Sequence, residues 1–310
     1  MPAFHVSRSL EIASPPEVVF DYVADFGNWT KWSPWLGIDP DAVVTVSSNP
    51  NSVGSIYRWK GDLVGQGEVE HLHLEPACRI EEEIRFVKPF KSKSKVRFVF
   101  EPAPSGTVVS WQMDGKLPWF MFWMRSSMET YVGMDYDRGL KMLREQLETG
   151  EVLSKTEVHG VESVPPIDFY GLSDTCPISE VGPAMDRIFS KIQMRLTEVD
   201  VAIDASMLSA YHPCDLKQHE FRFTSGYAVG EDEGMAAGLA HCHLRGGSAL
   251  HVRHIGSYEN LGNAWSGAYQ YARYKKLKVL RQDAYEIYRN DPHSTPPCDR
   301  ITDIYLPVKS

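Results

Sequence analysis

From residue 248 onward the sequence permits one order of elements, strand, helix, strand, strand, and that order constrains the fold of the whole second half. SALHVRHIG (248–256) alternates and is rich in Val, Ile and Leu, as a strand is, and Gly256 closes it. Beyond it, Leu261, Ala264, Trp265, Ala268 and Ala272 fall on one stripe at the 3.6-residue period, so a helix is expected whose apolar side needs a sheet beneath it. DAYEIYR (283–289) is a further strand with two unlike faces. If the fold is two-layered, Tyr285 and Ile287 point toward the helix layer, and Ala284, Glu286 and Tyr288 point the other way. NDPHSTPP is a turn-rich loop, and ITDIYLPV (301–308) is a last strand ended by Pro307.

Glu286 is the unusual residue of that stretch, a carboxylate in mid-strand where apolar or β-branched side chains are the rule. Two readings stay open. It lies on the solvated outer face of an edge strand, or it is a negative charge among aromatic rings on the concave side of a sheet, suited to a cationic or polarised aromatic ligand.

HIGSYENL, a Trp-containing helix, YEIYRNDP, a Pro-rich loop and DRITDIYLPV, in that order, resemble the GyrI-like family of effector-binding domains, which also occur in Rob-type and multidrug-sensing transcription regulators. The resemblance implies a pseudo-twofold pair of strand-helix-strand-strand units with a ligand groove between them. It also implies a glutamate in the groove, which maps onto Glu286. Tyr211, Tyr288 and Tyr305 are candidate walls, and Trp265 is a candidate ligand-site partner of the glutamate, the other reading of it being core packing on the helix stripe. The first unit is visible upstream: EVGPAMDRIFSKIQMRLTEVD (180–200) is amphipathic, and MLSAYHPCD, EFRFTSGYAVG and LAHCHLRGG supply strands. Tyr211 before HPCD matches Tyr288 before RNDP.

The first half has another grammar. FHVSRSLEIA (4–13) alternates as a strand, and a helix follows with Ser14 as expected N-cap, Pro15 at its first position and Glu17 completing a capping box. Val18, Val19, Tyr22, Val23 and Phe26 form its expected inward stripe. Six strand-like runs come next (VVTVSS, SIYRWKG, GQGEVEHLHL, CRIEEEIRF, SKVRFVFEP, TVVSWQMDG), then a long helical segment over 119–149 that Gly150 stops. These elements imply a curved antiparallel sheet gripping a helix, with a cavity between sheet and helix. EIASPPEVVFDYVADFGNWTKWSPW is similar to the START-like superfamily, also called the polyketide cyclase or SRPBCC fold, whose members bind hydrophobic molecules in such a cavity. The expected fold is α+β throughout: a helix-grip domain over 1–151 and a duplicated GyrI-like domain over 152–310.

Within the first half WFMFWM (119–124) is expected to pack on the sheet and line the cavity, the alternative being an exposed patch. Trp29, Trp32 and Trp35 are expected in the core at the helix–sheet junction, the alternative being an aromatic wall at the cavity mouth. His241 and His243 share a strand face, as do His71 and His73, but neither pair comes with a third and fourth metal ligand at defined spacing.

Composition narrows the function. The net charge of −9 is spread evenly, with 16 basic and 20 acidic residues up to position 150, so neither half has the basic excess that direct nucleic-acid binding requires. No stretch is left over for a helix-turn-helix, and RYKKLKVLR (273–281) is a basic cluster suited to a helix C-terminus. Five scattered cysteines without a CxxC pair fit free thiols, and no run approaches the ~18 apolar residues of a membrane span. A cytoplasmic protein is expected, without a membrane partner. Nucleotide-binding glycine spacings and a GxSxG elbow are missing, so no cofactor is expected.

The leading expectation is a protein that senses, sequesters or detoxifies small hydrophobic or cationic aromatic molecules, alone, as a homo-oligomer or with a protein partner. Two alternatives stand beside it. Some GyrI-like proteins hydrolyse electrophilic genotoxic compounds, with a glutamate directing water, a role Glu286 would fill as general base. Others are gyrase-modulating interaction modules.

Overall fold

A computed structural model describes residues 3–39, 41–88, 91–177, 180–200, 206–213 and 220–309, apart from the side chains of residues 120, 121, 231, 233 and 236. The chain forms two compact units, Met1–Leu153 and Ser154–Ser310.

The first unit runs β1 (Ala3–Ile12), α1 (Pro16–Ala24), α2 (Trp29–Trp32), β2 (Val43–Val46), β3 (Ile56–Lys60), β4 (Gln66–Glu75), β5 (Arg79–Lys88), β6 (Ser92–Ala103), β7 (Gly106–Lys116) and α3 (Arg125–Thr149). Its strands make one antiparallel sheet in the order β1-β7-β6-β5-β4-β3-β2. Alternation decides the faces: Val96, Phe98 and Phe100 of β6 and Val109, Trp111 and Met113 of β7 turn inward. They pack against Val19 and Val23 of α1 and Tyr136, Leu140 and Leu143 of α3. Trp111 stacks on Tyr136 at 4.0 Å, and α3 comes this close because Gly139 carries no side chain, a Cβ there standing 2.6 Å from the Trp111 ring. Gly150 ends α3 at φ 91°, as expected of a left-handed C-cap, its N–H bonding to Gln146 O.

Three local expectations are corrected. α1 starts at Pro16, with Pro15 extended at the cap and no side-chain cap from Ser14, because a residue preceding proline is driven out of the helical region. Val18 is exposed, and Phe20 takes the inward place. Trp119, Phe122 and Trp123 are exposed rather than packed on the sheet, since the run Trp119–Met124 coils as a 3₁₀ segment after Pro118 and precedes the part of α3 that meets the sheet.

The second unit runs β8 (Ser154–Val164), β9 (Ile167–Pro177), α4 (Val181–Glu198), β10 (Met207–Tyr211), β11 (Glu220–Tyr227), α5 (Glu231–Ala236), β12 (Ala240–Leu244), β13 (Gly247–Gly256), α6 (Gly262–Tyr274), β14 (Lys278–Val279), β15 (Ala284–Tyr288) and β16 (Ile301–Lys309). Pro165 and Pro166 fall between β8 and β9, where no ladder bond is needed. The sheet order is β12-β9-β11-β10-β15-β16-β13-β8, with β14 on β16. Read outward from the β10–β15 pair, the order is the same on both sides: the strand after the helix, its hairpin partner, then the strand before the helix. This is a pseudo-twofold duplication, and its register sets Ser209 opposite Glu286 and Met207 opposite Tyr288. Tyr211 and Tyr288 each stand two residues beyond one member of the central pair.

The facing of β15 is the reverse of the sequence expectation. Ala284 packs with Ala264 and Ala268 of α6, and Glu286 and Tyr288 share its face, whereas Tyr285 and Ile287 join Leu208, Ala210 and Tyr305 on the far side. The far side is covered as well, because the sheet curls enough for Leu244 of β12 and Val164 of β8 to join one cluster, so an apolar residue did not have to mean helix-facing. β16 also continues past Pro307 to Lys309, because proline keeps its carbonyl, which accepts from Leu280 N–H at 2.9 Å.

Each unit holds its own apolar clusters. Fragments 1–153 and 154–310 are accordingly expected to melt cooperatively when expressed separately, followed by circular dichroism. Two non-cooperative melts would show that each half depends on the other.

Candidate ligand-binding sites

Glu286 occupies the middle of the second unit. β15 is flanked by β10 and β16, every residue of it is buried, and the Glu286 side chain has no solvent exposure. An edge-strand surface acid is therefore ruled out. Burying a carboxylate is costly unless donors surround it, and the sequence supplies them from three elements. The indole Nε1–H of Trp265 on α6 donates to Oε1 at 2.5 Å, and the Tyr288 hydroxyl donates to Oε2 at 2.7 Å. Tyr288 also reaches Ser209 Oγ at 3.2 Å, and Ser209 bonds Ser225 at 2.7 Å. Met185 of α4 places its sulfur 3.7 and 3.8 Å from the Tyr288 and Tyr211 hydroxyls. Tyr211 meets Trp265 edge to face at 5.2 Å, while Phe189 and Tyr258 flank Tyr288 at 5.8 and 5.6 Å. Both helices thus converge on the central strand pair, with a carboxylate at the axis and aromatic rings around it.

Among the described residues no basic side chain lies within ion-pair distance of Glu286. The guanidinium of Arg300 instead stacks over Tyr258, 5.1 Å from the ring centre. Burial pushes the Glu286 carboxyl above its ordinary range, while hydrogen bonds from Trp265, Tyr288 and Tyr211 pull the other way without restoring it. Burial, reinforced by the nearby carboxylate, raises the Tyr211 and Tyr288 phenols well above theirs, so both remain neutral donors.

The first unit contains a cavity of about 210 Å³ between sheet and helix. Trp29, Trp32, Trp35, Tyr57, Trp59 and Trp111 supply most of its aromatic wall, so the three regularly spaced tryptophans serve the core and the cavity together. Glu82 also lines it, 1 % exposed. Its neighbour on β4 is His71, whose Nδ1 stands 3.1 Å from Oε1 and whose Nε2 contacts the Ala24 carbonyl at 2.9 Å. A bulge between His71 and His73 puts His71 inside and leaves His73 exposed, which corrects the expectation that the two share a face.

Family models match both halves: polyketide cyclase / dehydrase and lipid transport over residues 3–148, and GyrI-like small molecule binding domain over 160–309. The chain joins a polyketide cyclase-type domain to a GyrI-like domain. A search of curated protein sequences gave no match. Similar solved structures include the Aha1 dimer from Colwellia psychrerythraea (16 % identity, 47 % of this chain and 97 % of that one, TM-score 0.35). Others are the EcmrR–DNA complex (16 %, 59 % and 68 %, 0.40) and SAV2435 bound to tetraphenylphosphonium (14 %, 49 % and 94 %, 0.38).

Of the residues singled out in the GyrI-like domain, the structure brings Glu286, Tyr288, Tyr211 and Trp265 together and sets Tyr305 apart. Tyr305 lies on the opposite sheet face, stacked between Tyr285 at 5.0 Å and His251 at 4.8 Å, and Arg289 donates to its hydroxyl. It is not a wall of the Glu286 site. His241 and His243 do share a face, and both reach Asp168 Oδ1, at 2.9 and 2.8 Å. Cys214 lies outside the described residues. Met185 and Phe189 fall within the amphipathic run 180–200 and Tyr258 within HIGSYENL, and only the topology reveals their convergence on Glu286. Glu82 was legible in principle: in RIEEEIRF it shares the period-2 face of Ile80 and Ile84, but as the middle of three glutamates it reads as a solvated run.

No helix of the described residues is long and apolar enough to cross a membrane.

Proposed function

We propose that the GyrI-like domain binds a cationic aromatic small molecule at Glu286, and that the protein senses, sequesters or detoxifies such compounds. One observation carries this reading: a fully buried carboxylate that, among the described residues, is met by neutral donors and by no cation, inside a cage of buried and half-buried aromatic rings. A ligand cation supplies the missing charge, and the rings supply dispersion and cation–π attraction of about 0.5–2 kcal/mol each. Trp265, Tyr211, Phe189 and Tyr258 are only partly buried, so rotation of these walls is the route by which a ligand reaches the carboxylate.

The pH dependence follows from the raised carboxyl. Glu286 protonates at a higher pH than an ordinary glutamate, so affinity for a permanent cation should be full in alkaline solution and fall as pH drops through that raised value. Isothermal titration of a lipophilic aromatic cation across the neutral and acid range tests this, and a pH-independent affinity would contradict it. Recovery of the bound compound unchanged would support binding. Its conversion to a hydrolysed product, lost in Glu286→Gln, would instead assign Glu286 as a general base.

A further inference from the structure

The cavity of the polyketide cyclase-type domain holds a polar group that hydrophobic lining does not explain. Glu82 is 1 % exposed and borders the cavity beside Trp32, Trp111 and Tyr136, yet neither of its carboxylate oxygens receives a hydrogen bond from any described group. His71 stands 3.1 Å from Oε1, an ion-pair contact too bent for a hydrogen bond, and it is fixed there by the Ala24 carbonyl and by stacking on Phe26 at 3.8 Å. Oε2 has no hydrogen-bond partner among the described residues. A second lining residue, Trp32, has a buried indole N–H that is likewise unpartnered among the described residues.

Buried polar atoms are almost always satisfied, and the exceptions mark places where something else supplies the partner. A core that needed only packing would carry Leu or Met at position 82, on the same face as Ile80 and Ile84, without the desolvation cost. The β4 bulge adds to this, since it is what turns His71 inward opposite Glu82. Together they place an acceptor and an indole donor on a wall that is otherwise mostly aromatic and aliphatic, with Ser33 and Asp135 as its other polar residues.

We propose that this cavity is a second ligand site, for a neutral aromatic alcohol whose hydroxyl donates to Glu82. Neutrality follows from burial and geometry. Burial pushes the Glu82 carboxyl above its ordinary range, and a hydroxyl can donate to a carboxyl oxygen whether or not that group is ionised, whereas a cation needs the charge. His71, with Nδ1 3.1 Å from Oε1, also occupies one side of the carboxyl, so a hydroxyl suits the site better than a cation. Size follows from the volume. About 210 Å³ is below the ~300–1,000 Å³ of pockets for drug-sized ligands, which limits the occupant to one or two fused rings. The aromatic wall of Trp29, Trp32, Trp111 and Tyr57 gives such rings faces and edges to stack on.

The test uses the full chain with 2-naphthol and 2-methoxynaphthalene, which differ in the donor while sharing the ring system. Wild type is expected to bind the naphthol at least tenfold more tightly, by equilibrium dialysis or calorimetry. Glu82→Leu, which fills the position with carbon, should bring the two affinities within about twofold. Glu286→Gln should leave the preference intact, which locates the binding in the first domain. Glu82→Gln, isosteric and neutral, should reduce the preference severalfold and serves if the Leu variant does not fold. The proposal is overturned if neither compound binds saturably, if wild type shows no preference for the hydroxyl, or if the preference survives loss of the Glu82 carboxylate.

Discussion

Replacing Glu286 by Gln is expected to weaken binding of an aromatic cation about ten- to a hundredfold while making the unliganded protein more stable. The first effect is the loss of one charge-assisted contact in a desolvated site, worth about 1.5–3 kcal/mol. Gln preserves the geometry that matters to the fold: its carbonyl can accept from Trp265, and its amide can face the Tyr288 hydroxyl, which retains Ser209 as an acceptor. The second effect follows from the raised carboxyl. A group whose pKa is higher in the folded than in the unfolded chain costs nothing while protonated, and its cost grows as pH rises through the folded value. The stability gain of Glu286→Gln should therefore vanish in acid and reach about 1–3 kcal/mol in alkaline solution, the scale of a buried polar group whose hydrogen bonds offset most but not all of its desolvation. Opposite signs for binding and stability are what a ligand-binding charge produces. A purely structural acid would lose stability on replacement and leave cation affinity alone. Thermal melts of both proteins across pH, with parallel cation titrations, distinguish the two.

Much of the second unit could be read in advance because its elements have clear periods. The stripe Ala264, Ala268, Ala272 demanded a sheet, the strand order was legible twice, and Tyr211 and Tyr288 already hinted at a repeat. What could not be read was which side of β15 meets the helices. Tyr285 and Ile287 are the more apolar pair, and in a two-layer fold they would face the helices; here a curled sheet buries both of its faces, so polarity loses its power to orient the strand. The local pattern in DAYEIYR was right, and the inference from it to a layer was wrong. Glu82 shows a different limit. Its face was fixed by alternation, but a run of three glutamates reads as surface unless the bulge in β4 is known, and a bulge leaves no reliable mark in HLHLE. The apolar run 119–124 failed for a third reason: hydrophobicity signals burial only where the backbone turns the side chain inward, and Pro118 followed by a 3₁₀ segment does not.

Asp303 is expected to hold the far face of the second unit together, and Asp303→Asn to destabilise that unit by about 2–4 kcal/mol. Its side chain is wholly buried on β16, one residue from Ile304 and on the opposite face from Glu286. Arg253 from β13 grips it with two hydrogen bonds, Nε to Oδ1 at 2.7 Å and Nη2 to Oδ2 at 2.9 Å, and Arg289 donates from the end of β15 at 2.6 Å. His251 adds Nε2 at 3.0 Å. Burial alone would raise this carboxyl, but the hydrogen bonds from Arg253 and Arg289 and the close contact with His251 outweigh burial and hold it well below the usual carboxylate range. The sign is thus the reverse of that for Glu286: the stabilisation is present at neutral pH and is lost only as pH falls through the depressed folded value, in strongly acid solution. Asn keeps the shape but offers one neutral acceptor to two guanidiniums that are about one-third exposed, which moderates the loss without abolishing it. Calorimetry of the full chain should show the transition of the second unit moving down and that of the first unchanged. The shift should be largest near neutral pH and shrink toward strong acid; an Asn variant that melts with wild type at neutral pH would show that the arginines are held by solvent and packing rather than by this carboxylate.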